Sequence, residues 1–448
     1  MEAIREDRFS AGRSLRKGCP RSAHAEWAPA ADRPDVVSIL QQRAATRVPE
    51  LLAVLYERMS ESSFAFLRGS AVVMALDLAD TPISGLQVQA CGDAHVGNFG
   101  QFATPERNII FDVNDFDETL PGPFEWDVKR LAASLEVAFR CNGVPTKQRA
   151  DAVAGAVQTY RERMADYASL RALEIWYSRI HVDEVLSFFP RRYRGHVRRD
   201  IKKSLSRTNL RALSKLTHLV DGHQRFIEDR PLLVRLEQTG HELDEVLAMV
   251  DGYRASLPEE IRALFDRFRL VDVARKVVGV GSVGTRCWVG LLEGPHHPAG
   301  DPLVLQVKEA QASVLEPYAG ASKLSHHGLR VVAGQRLTQA ASDIFLGWSE
   351  GPRSGRHYYV RQLWDVKGSG DPTAMDTQNL ARYGALCAWA LARAHARTGD
   401  PAAISGYLGR SDRFDRAIAS FASRYGDQTE ADHAALKAAI ADGRLPSD

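Results

Sequence analysis

Between residues 87 and 131 the chain reads "QVQACGDAHVGNFGQFATPERNIIFDVNDFDETLPGPFEWDVKRL". No other stretch restricts the fold as much. The apolar runs "GLQVQA" and "RNIIFDV" have the composition of short strands. Acids gather in and just after them: Asp93, then Asp112, Asp115, Asp117 and Glu118, with His95 and Asn98 between. Crowded carboxylates raise one another's pKa, and desolvation adds to the penalty. A chain sustains that where a positive group, such as a metal ion, compensates. The ends of these strands are therefore expected to form a site.

The spacing points to phosphotransfer. Asp93 and Asn98 lie five apart in a glycine-containing loop after one strand, and Asp115 follows a second strand and precedes Phe116. In such a site one Asp meets the acceptor hydroxyl, while an Asn and a second Asp hold magnesium on the nucleotide phosphates. Magnesium takes hard oxygen ligands, which these are. With a reference pKa of about 3.9, Asp93 orients the hydroxyl and accepts its proton late. His95 is either a participant or a residue that hydrogen-bonds the loop backbone.

"GDAHVGN" resembles the H-G-D-x-H-x-x-N catalytic loop of aminoglycoside-phosphotransferase-like kinases. "NDFDETLPGPFEWDVKRLA" resembles their segment from the magnesium-binding Asp-Phe to the following helix. The resemblance implies that Asp93 is the catalytic Asp, that Asn98 and Asp115 are metal ligands, and that Asp127 buttresses the catalytic loop. Cys91 departs from the motif, which usually begins with His. These stretches, with "SFAFLRGS", "QVKEAQASVLEPY" and "GQRLTQAASDIFLGW", also resemble the uncharacterised bacterial family catalogued as domain of unknown function 2252, over most of the chain. That second resemblance brings no established activity.

A kinase-like site needs a nucleotide lobe, and nothing before residue 89 supplies one. "GVGSVG" does, with Gly279, Gly281, Ser282 and Gly284 in G-x-G-x-x-G spacing, together with Lys308 in "PLVLQVKEA". A Rossmann fingerprint requires a helix directly after the glycines. Here "TRCWVGLLEG" reads as a strand, so the glycines sit in a hairpin, as the kinase glycine-rich loop does. Lys308 then pairs with the α/β-phosphates. Glu316 is the nearest candidate to fix the lysine, and the later helix offers Gln335 instead. "YYVRQLW" followed by "DVKGSG" reads as the hinge that meets adenine. The expected architecture is an α+β, two-lobed kinase-like fold in circularly permuted order. An N-terminal extension (1–48), irregular over residues 1–35, precedes a mainly helical large lobe (49–270), a β-rich nucleotide lobe (271–366) and C-terminal helices returning to the large lobe (367–448). Permutation is cheap where chain ends lie close together at the surface.

The remaining expectations are broader. A length of 448 residues exceeds one average domain, and 44% hydrophobic with 25% charged residues is ordinary for a globular chain. A net charge of +2 gives no global pull toward nucleic acid. The five cysteines are scattered with no C-x-x-C pair, which argues against a zinc site or a disulfide framework and fits a reducing cytoplasm. The N-terminus lacks the apolar core of a secretory signal, and no apolar run is long enough to span a bilayer. The expected cofactors are ATP and Mg2+. Arg191–Lys215 carries ten basic side chains against one acid, Asp200, and is either a solvated helical face or a platform for an anionic acceptor. Residues 146–177 read as one amphipathic helix. Asp112 and Asp117 read as solvated strand-end acids, His395 as a helix-end residue favouring the dipole, and the pairs His296–His297 and His326–His327 as exposed loop residues. Two other functions compete: a metal-dependent phosphoesterase built on Asp93, His95 and Asn98, and a nucleotide-binding pseudokinase serving as a sensor.

Overall fold

The helix Phe124–Cys141 is buried over almost its whole circumference and organises the larger part of the molecule. Glu125 and Asp127 in its first turn and Arg140 in its last complement the helix dipole. Against it pack Thr146–Ala168, Thr377–Thr398 and Arg413–Ala441, sharing a core that includes Leu131, Leu135, Val157, Leu386 and Phe421. Asp376 and Asp400 start the last helices cleanly, each accepting hydrogen bonds from backbone N–H groups of the first turn. The computed structural model describes residues 2–195, 198–199, 209–220, 223–236, 241–295, 301–363, 368 and 370–447.

Two small antiparallel ribbons lie on this helical body. Strand β1 (Gln87–Ala90) pairs with β4 (Leu120–Pro123), and β2 (Phe99–Ala103) pairs with β3 (Ile109–Val113). Nesting the second ribbon between the strands of the first brings loop 91–98 beside loop 114–119, and a hydrogen bond from Asn114 N–H to Asn98 O (2.8 Å) ties the two together.

After the hairpin of β5 (Thr217–Val220) and β6 (His223–Phe226) comes a six-stranded sheet. It contains β7 (Leu233–Arg235), β8 (Arg269–Lys276), β9 (Cys287–Glu293), β10 (Pro302–Ala310), β11 (Gly347–Glu350) and β12 (His357–Gln362), in the order β11-β12-β10-β9-β8-β7. Every pairing is antiparallel. Helices His241–Ser256 and Glu259–Phe265 cover one face, where Tyr253, Leu257 and Phe265 meet Leu292, Leu305 and Val360. The other face of β10 turns Lys308 toward the acid loop. Helix His327–Thr338 links β10 to β11. The fold is thus mixed α+β, with an antiparallel sheet whose residues Ala310 and Tyr359 share the main core with the helices.

Several expectations change. Residues 1–35 are not an irregular extension: Glu2–Ser14 is helical and docks on Pro401–Leu408. Arg16 Nε and Arg21 Nη1 donate to Tyr407 O (2.8 Å) and Leu408 O (2.6 Å). Val36–Ala44 buries Val36, Val37 and Leu40 in a core shared with Leu436 and Ala439. Close backbone approach holds the first helix, so an apolar-periodicity scan has little to register. The amphipathic pattern of 146–177 breaks at Ser169, where Thr146–Ala168 ends and Ala172–Tyr177 begins. The stretch before residue 271 is not purely helical, because β5, β6 and β7 fall within it and β7 joins the sheet. "DIFLGW" contributes a strand only from Gly347 onward. His326 caps helix His327–Thr338, and both histidines pack against His357 rather than standing in open loop. His296 and His297 lie outside the described residues. Among the described residues no helix is long and apolar enough to cross a membrane.

Candidate active site

Loop 91–98 is held from below by one face of helix Phe124–Cys141. Asp127 accepts the Cys91 N–H (2.7 Å) and the Gly92 N–H (3.0 Å), which is the loop-bracing geometry expected of it. His395 Nε2 sits 3.1 Å from the same carboxylate, and its Nδ1 meets Tyr160 OH at 2.8 Å. His395 is therefore a buried brace for Asp127, not a dipole residue. Arg130, one helical turn after Asp127 and on the same face, grips Asp93 Oδ1 through Nε (2.8 Å) and Nη2 (2.7 Å). Burial outweighs this guanidinium and holds the Asp93 carboxyl above its usual range. Asp93 Oδ2 faces His95 Nε2 at 3.8 Å. His95 Nδ1 accepts the Gly97 N–H (3.1 Å), which places the ring proton on Nε2. Burial, reinforced by Arg68 and Arg130, pushes the His95 pKa well down, so the ring is neutral. Asn98 Nδ2 donates to Asp93 O (2.8 Å), and its Oδ1 accepts no hydrogen bond among the described residues.

The second loop meets the sheet. Lys308 stands between Cys287 on β9 and Tyr359 on β12, with 2% of its side chain exposed. Its Nζ lies 2.6 Å from Asp117 Oδ2 and 4.0 Å from Asp115 Oδ1. Tyr359 OH donates to Asp117 Oδ1 at 2.5 Å. Burial alone would lower the Lys308 pKa, but the two carboxylates hold it well above the usual value. Burial likewise opposes ionisation of Asp117, yet Lys308 and Tyr359 prevail and keep that carboxyl below its usual range. At Asp115, burial and repulsion from Asp117 exceed the pull of Lys308 and raise its pKa.

Three assignments are corrected here. Glu316 does not pair with Lys308: its Oε1 accepts the Ser313 N–H (3.1 Å) and lies 4.0 Å from Arg330 Nε. Lys308 instead takes Asp117, which is no solvated acid. Asp112 is fully buried and receives Arg393 Nη2 at 2.7 Å on both oxygens, because β3 runs beneath helix Thr377–Thr398.

The glycine stretch turns between β8 and β9, with Gly279 (φ 64°) and Gly284 (φ 84°) in the left-handed region. The segment 47–58 clasps this turn. Arg58 Nη1 donates to Gly279 O (2.7 Å), Arg47 to Gly281 O (2.9 Å) and Val283 O, and Val48 N–H to Gly284 O (2.7 Å). Ser282 Oγ reaches Asp117 Oδ2 at 3.4 Å. A single cleft is therefore lined by Asp93, Asn98 and Asp115 on one side and by Gly279, Gly281 and Ser282 on the other.

The donor set fits a hard cation. Asn98 Oδ1 and the Asp115 carboxylate are oxygen ligands, and a cation would relieve the repulsion that raises the Asp115 pKa. Among the described residues no group of three or more His, Cys, Asp or Glu is arranged to hold a metal by itself. Much of the basic stretch within Arg191–Lys215 lies outside the described residues, as does most of "DVKGSG", of which Gly368 pairs with Gln101. Sequence reasoning missed Arg130, Tyr359 and the clasp of Arg47 and Arg58. Only Arg130 left a local signal, its i+3 spacing from Asp127.

A family described as "Uncharacterized protein conserved in bacteria (DUF2252)" matches residues 47–439, and the chain belongs to that family. No curated protein and no solved structure matches the chain.

Proposed function

We propose that this protein is an ATP- and magnesium-dependent phosphotransferase acting on a hydroxyl-bearing acceptor, with the parts of a kinase-like two-lobed fold in circularly permuted sequence order. One observation carries the reading. Lys308, on a sheet strand that follows a glycine hairpin, is ion-paired with the Asp115/Asp117 loop from 191 residues earlier. In kinases the glycine-rich loop covers the phosphates, the lysine comes from the next strand, and the Asp before Phe holds metal beside the catalytic Asp. Glycine hairpin, Lys308 strand and helix His327–Thr338 follow in that order, and the hairpin and the end of the Lys308 strand (Glu309, Ala310) line one cleft with Asp93 and Asn98.

Each residue then has a task. The Gly279–Gly284 turn offers backbone N–H groups to the phosphates. Lys308 leaves Asp117 in part to reach the α/β-phosphates. Asn98 and Asp115 would hold magnesium, which when bound neutralises charge on the phosphate oxygens. Asp93, fixed by Arg130, orients the acceptor hydroxyl and takes its proton through Oδ2. The acceptor oxygen bonds to the γ-phosphorus as the bond to the bridging oxygen breaks, and ADP leaves with that electron pair.

The test is thermal unfolding of wild type, Lys308→Ala and Asp115→Asn with and without Mg-ATP. Ligand at a hundredfold above its Kd stabilises a native state by about 2.7 kcal/mol. A magnesium-dependent rise in wild type, lost in both variants, is expected. No shift with any nucleotide would overturn the reading.

A further inference from the structure

Arg68, in "SFAFLRGS", ends the helix Ser63–Gly69 and faces the same cleft. The neighbouring cations are committed: Lys308 to Asp117, Arg130 to Asp93, Arg43 to Glu118 (3.3 Å), and Arg47 to the hairpin carbonyls. Arg68 differs. Its Nε is buried, and among the described residues it has no hydrogen-bond partner. The carboxylates that attract it are those of Asp93, Asp371, Asp115 and Glu61, and among the described residues none forms an ion pair with it. A guanidinium carries five donors in a rigid fork. Burying such donors unsatisfied costs stability. A chain that tolerates this beside a phosphate-binding turn is suited to an anion that completes the geometry.

The position of Arg68 narrows which anion. A Cβ built on Gly281, in the hairpin turn, would stand 3.2 Å from Arg68 O. A Cβ built on Gly97, in the loop that carries Asp93, would stand 3.6 Å from Arg68 Nε. Arg68 therefore bridges the gap between the turn that would cradle the phosphate chain and the loop that would receive the acceptor. In the proposed reaction that gap is where the transferred phosphoryl group sits.

We infer that Arg68 binds the oxygens of the terminal phosphoryl group of the nucleotide, supplying in cis the charge that spreads over them during transfer. This rests on the phosphotransferase reading. A planar fork matches phosphate oxygens bidentately, so lysine replaces it only in part.

The experiment titrates the full chain with Mg-ADP and with a magnesium complex of a β,γ-imido ATP analogue, by calorimetry, for wild type, Arg68→Ala, Arg68→Lys and Lys308→Ala. Arg68→Ala should weaken the triphosphate by about tenfold or more and leave ADP within about twofold. Arg68→Lys should recover part of the loss, and Lys308→Ala should weaken both ligands. Among the described residues Arg68 Nε donates to no protein acceptor, so ligand-free Arg68→Ala and Arg68→Lys should unfold close to the wild-type temperature, whereas Lys308→Ala, which strips Asp117 of its partner, should unfold lower. Equal losses for ADP and the triphosphate, or no loss for either, would overturn the inference and leave the phosphotransferase reading standing. Failure of wild type to bind either nucleotide would remove both.

Discussion

Replacing Asp117 with asparagine takes away the main partner of a lysine that is almost fully buried. At an effective dielectric of about 20, unit charges 2.6 Å apart attract by about 6 kcal/mol and charges 4.0 Å apart by about 4 kcal/mol. The net cost is far smaller than the first figure, for three structural reasons. Asp115 remains as a partner, the repulsion between Asp115 and Asp117 disappears, and 30% of the Asp117 side chain is open to solvent screening. Breaking a fully buried pair costs about 3–5 kcal/mol; the discounted expectation here is about 2 kcal/mol.

A double-mutant cycle isolates the interaction. Lys308→Met alone leaves two carboxylates facing each other, so adding Asp117→Asn to it removes a repulsion rather than an attraction. In urea unfolding, Asp117→Asn should cost about 2 kcal/mol in wild type and close to nothing in Lys308→Met, a coupling of about 2 kcal/mol. The sign of the pH dependence follows from the depressed Asp117 pKa. Its stabilising contribution is fully present above the unfolded value of about 3.9 and is lost as pH falls through the lower folded value. The gap between wild type and variant should therefore persist through neutral pH and close only in acid. Equal costs in both backgrounds, or no cost in wild type, would refute the pairing of sheet and acid loop.

Other positions give independent tests. Asp127→Asn sets an amide donor against the Cys91 and Gly92 N–H groups; it should cost about 2 kcal/mol and speed hydrogen exchange at those two amides before the surrounding helices. His24 is fully buried beside Tyr407, and burial, with the Lys129 charge, pushes its pKa down to about 3. Below about pH 6.5 the unfolded chain binds a proton there that the native state refuses, so stability should fall by about 1.4 kcal/mol per pH unit from this group. His24→Gln should remove that share of the slope between pH 6 and 4, as read by urea midpoints. A Cβ on Gly12 would overlap the Ala403 carbonyl; Gly12→Val should undock the first helix, cost about 3 kcal/mol, and expose Pro401–Leu408 to protease. A mobile tail would register no change.

The part of the site that sequence made legible is the part its strands and loops encode locally. Asp93, Asn98 and Asp115 stand at fixed offsets from β1 and β3, and the glycine turn stands between two strands, so pattern and turn chemistry suffice to find them. The partner of Lys308 is different in kind. Glu316 was favoured because it is close in sequence, whereas the actual partner, Asp117, is brought to Lys308 only by docking the sheet on the helical body. The same holds for Asp112, which looks like a strand-end acid until helix Thr377–Thr398 lays Arg393 across it. The same again holds for Arg47 and Arg58, whose acceptors are hairpin carbonyls more than 200 positions away. Backbone acceptors carry no sequence signature, so those bonds were unreadable in principle.

That asymmetry has a physical consequence for the cleft. Its local parts, loops 91–98 and 114–119, are held by the buried helix Phe124–Cys141 and by each other. Its non-local part, the glycine turn, is held by Val283, buried in the core beside Val48, by the Val48 N–H on Gly284 O, and by arginine side chains donating to exposed or half-buried carbonyls. Hydrogen bonds of that kind contribute about 1–3 kcal/mol each when charged and less when solvated. The arginine bonds are the solvent-exposed part of that hold, and under the proposed function the turn would lie over the bound nucleotide. Under that reading the clasp by Arg47 and Arg58 would limit how far the turn opens. A weakened clasp should raise the rate of nucleotide entry and exit together and leave Asp93 as it was, gripped by Arg130.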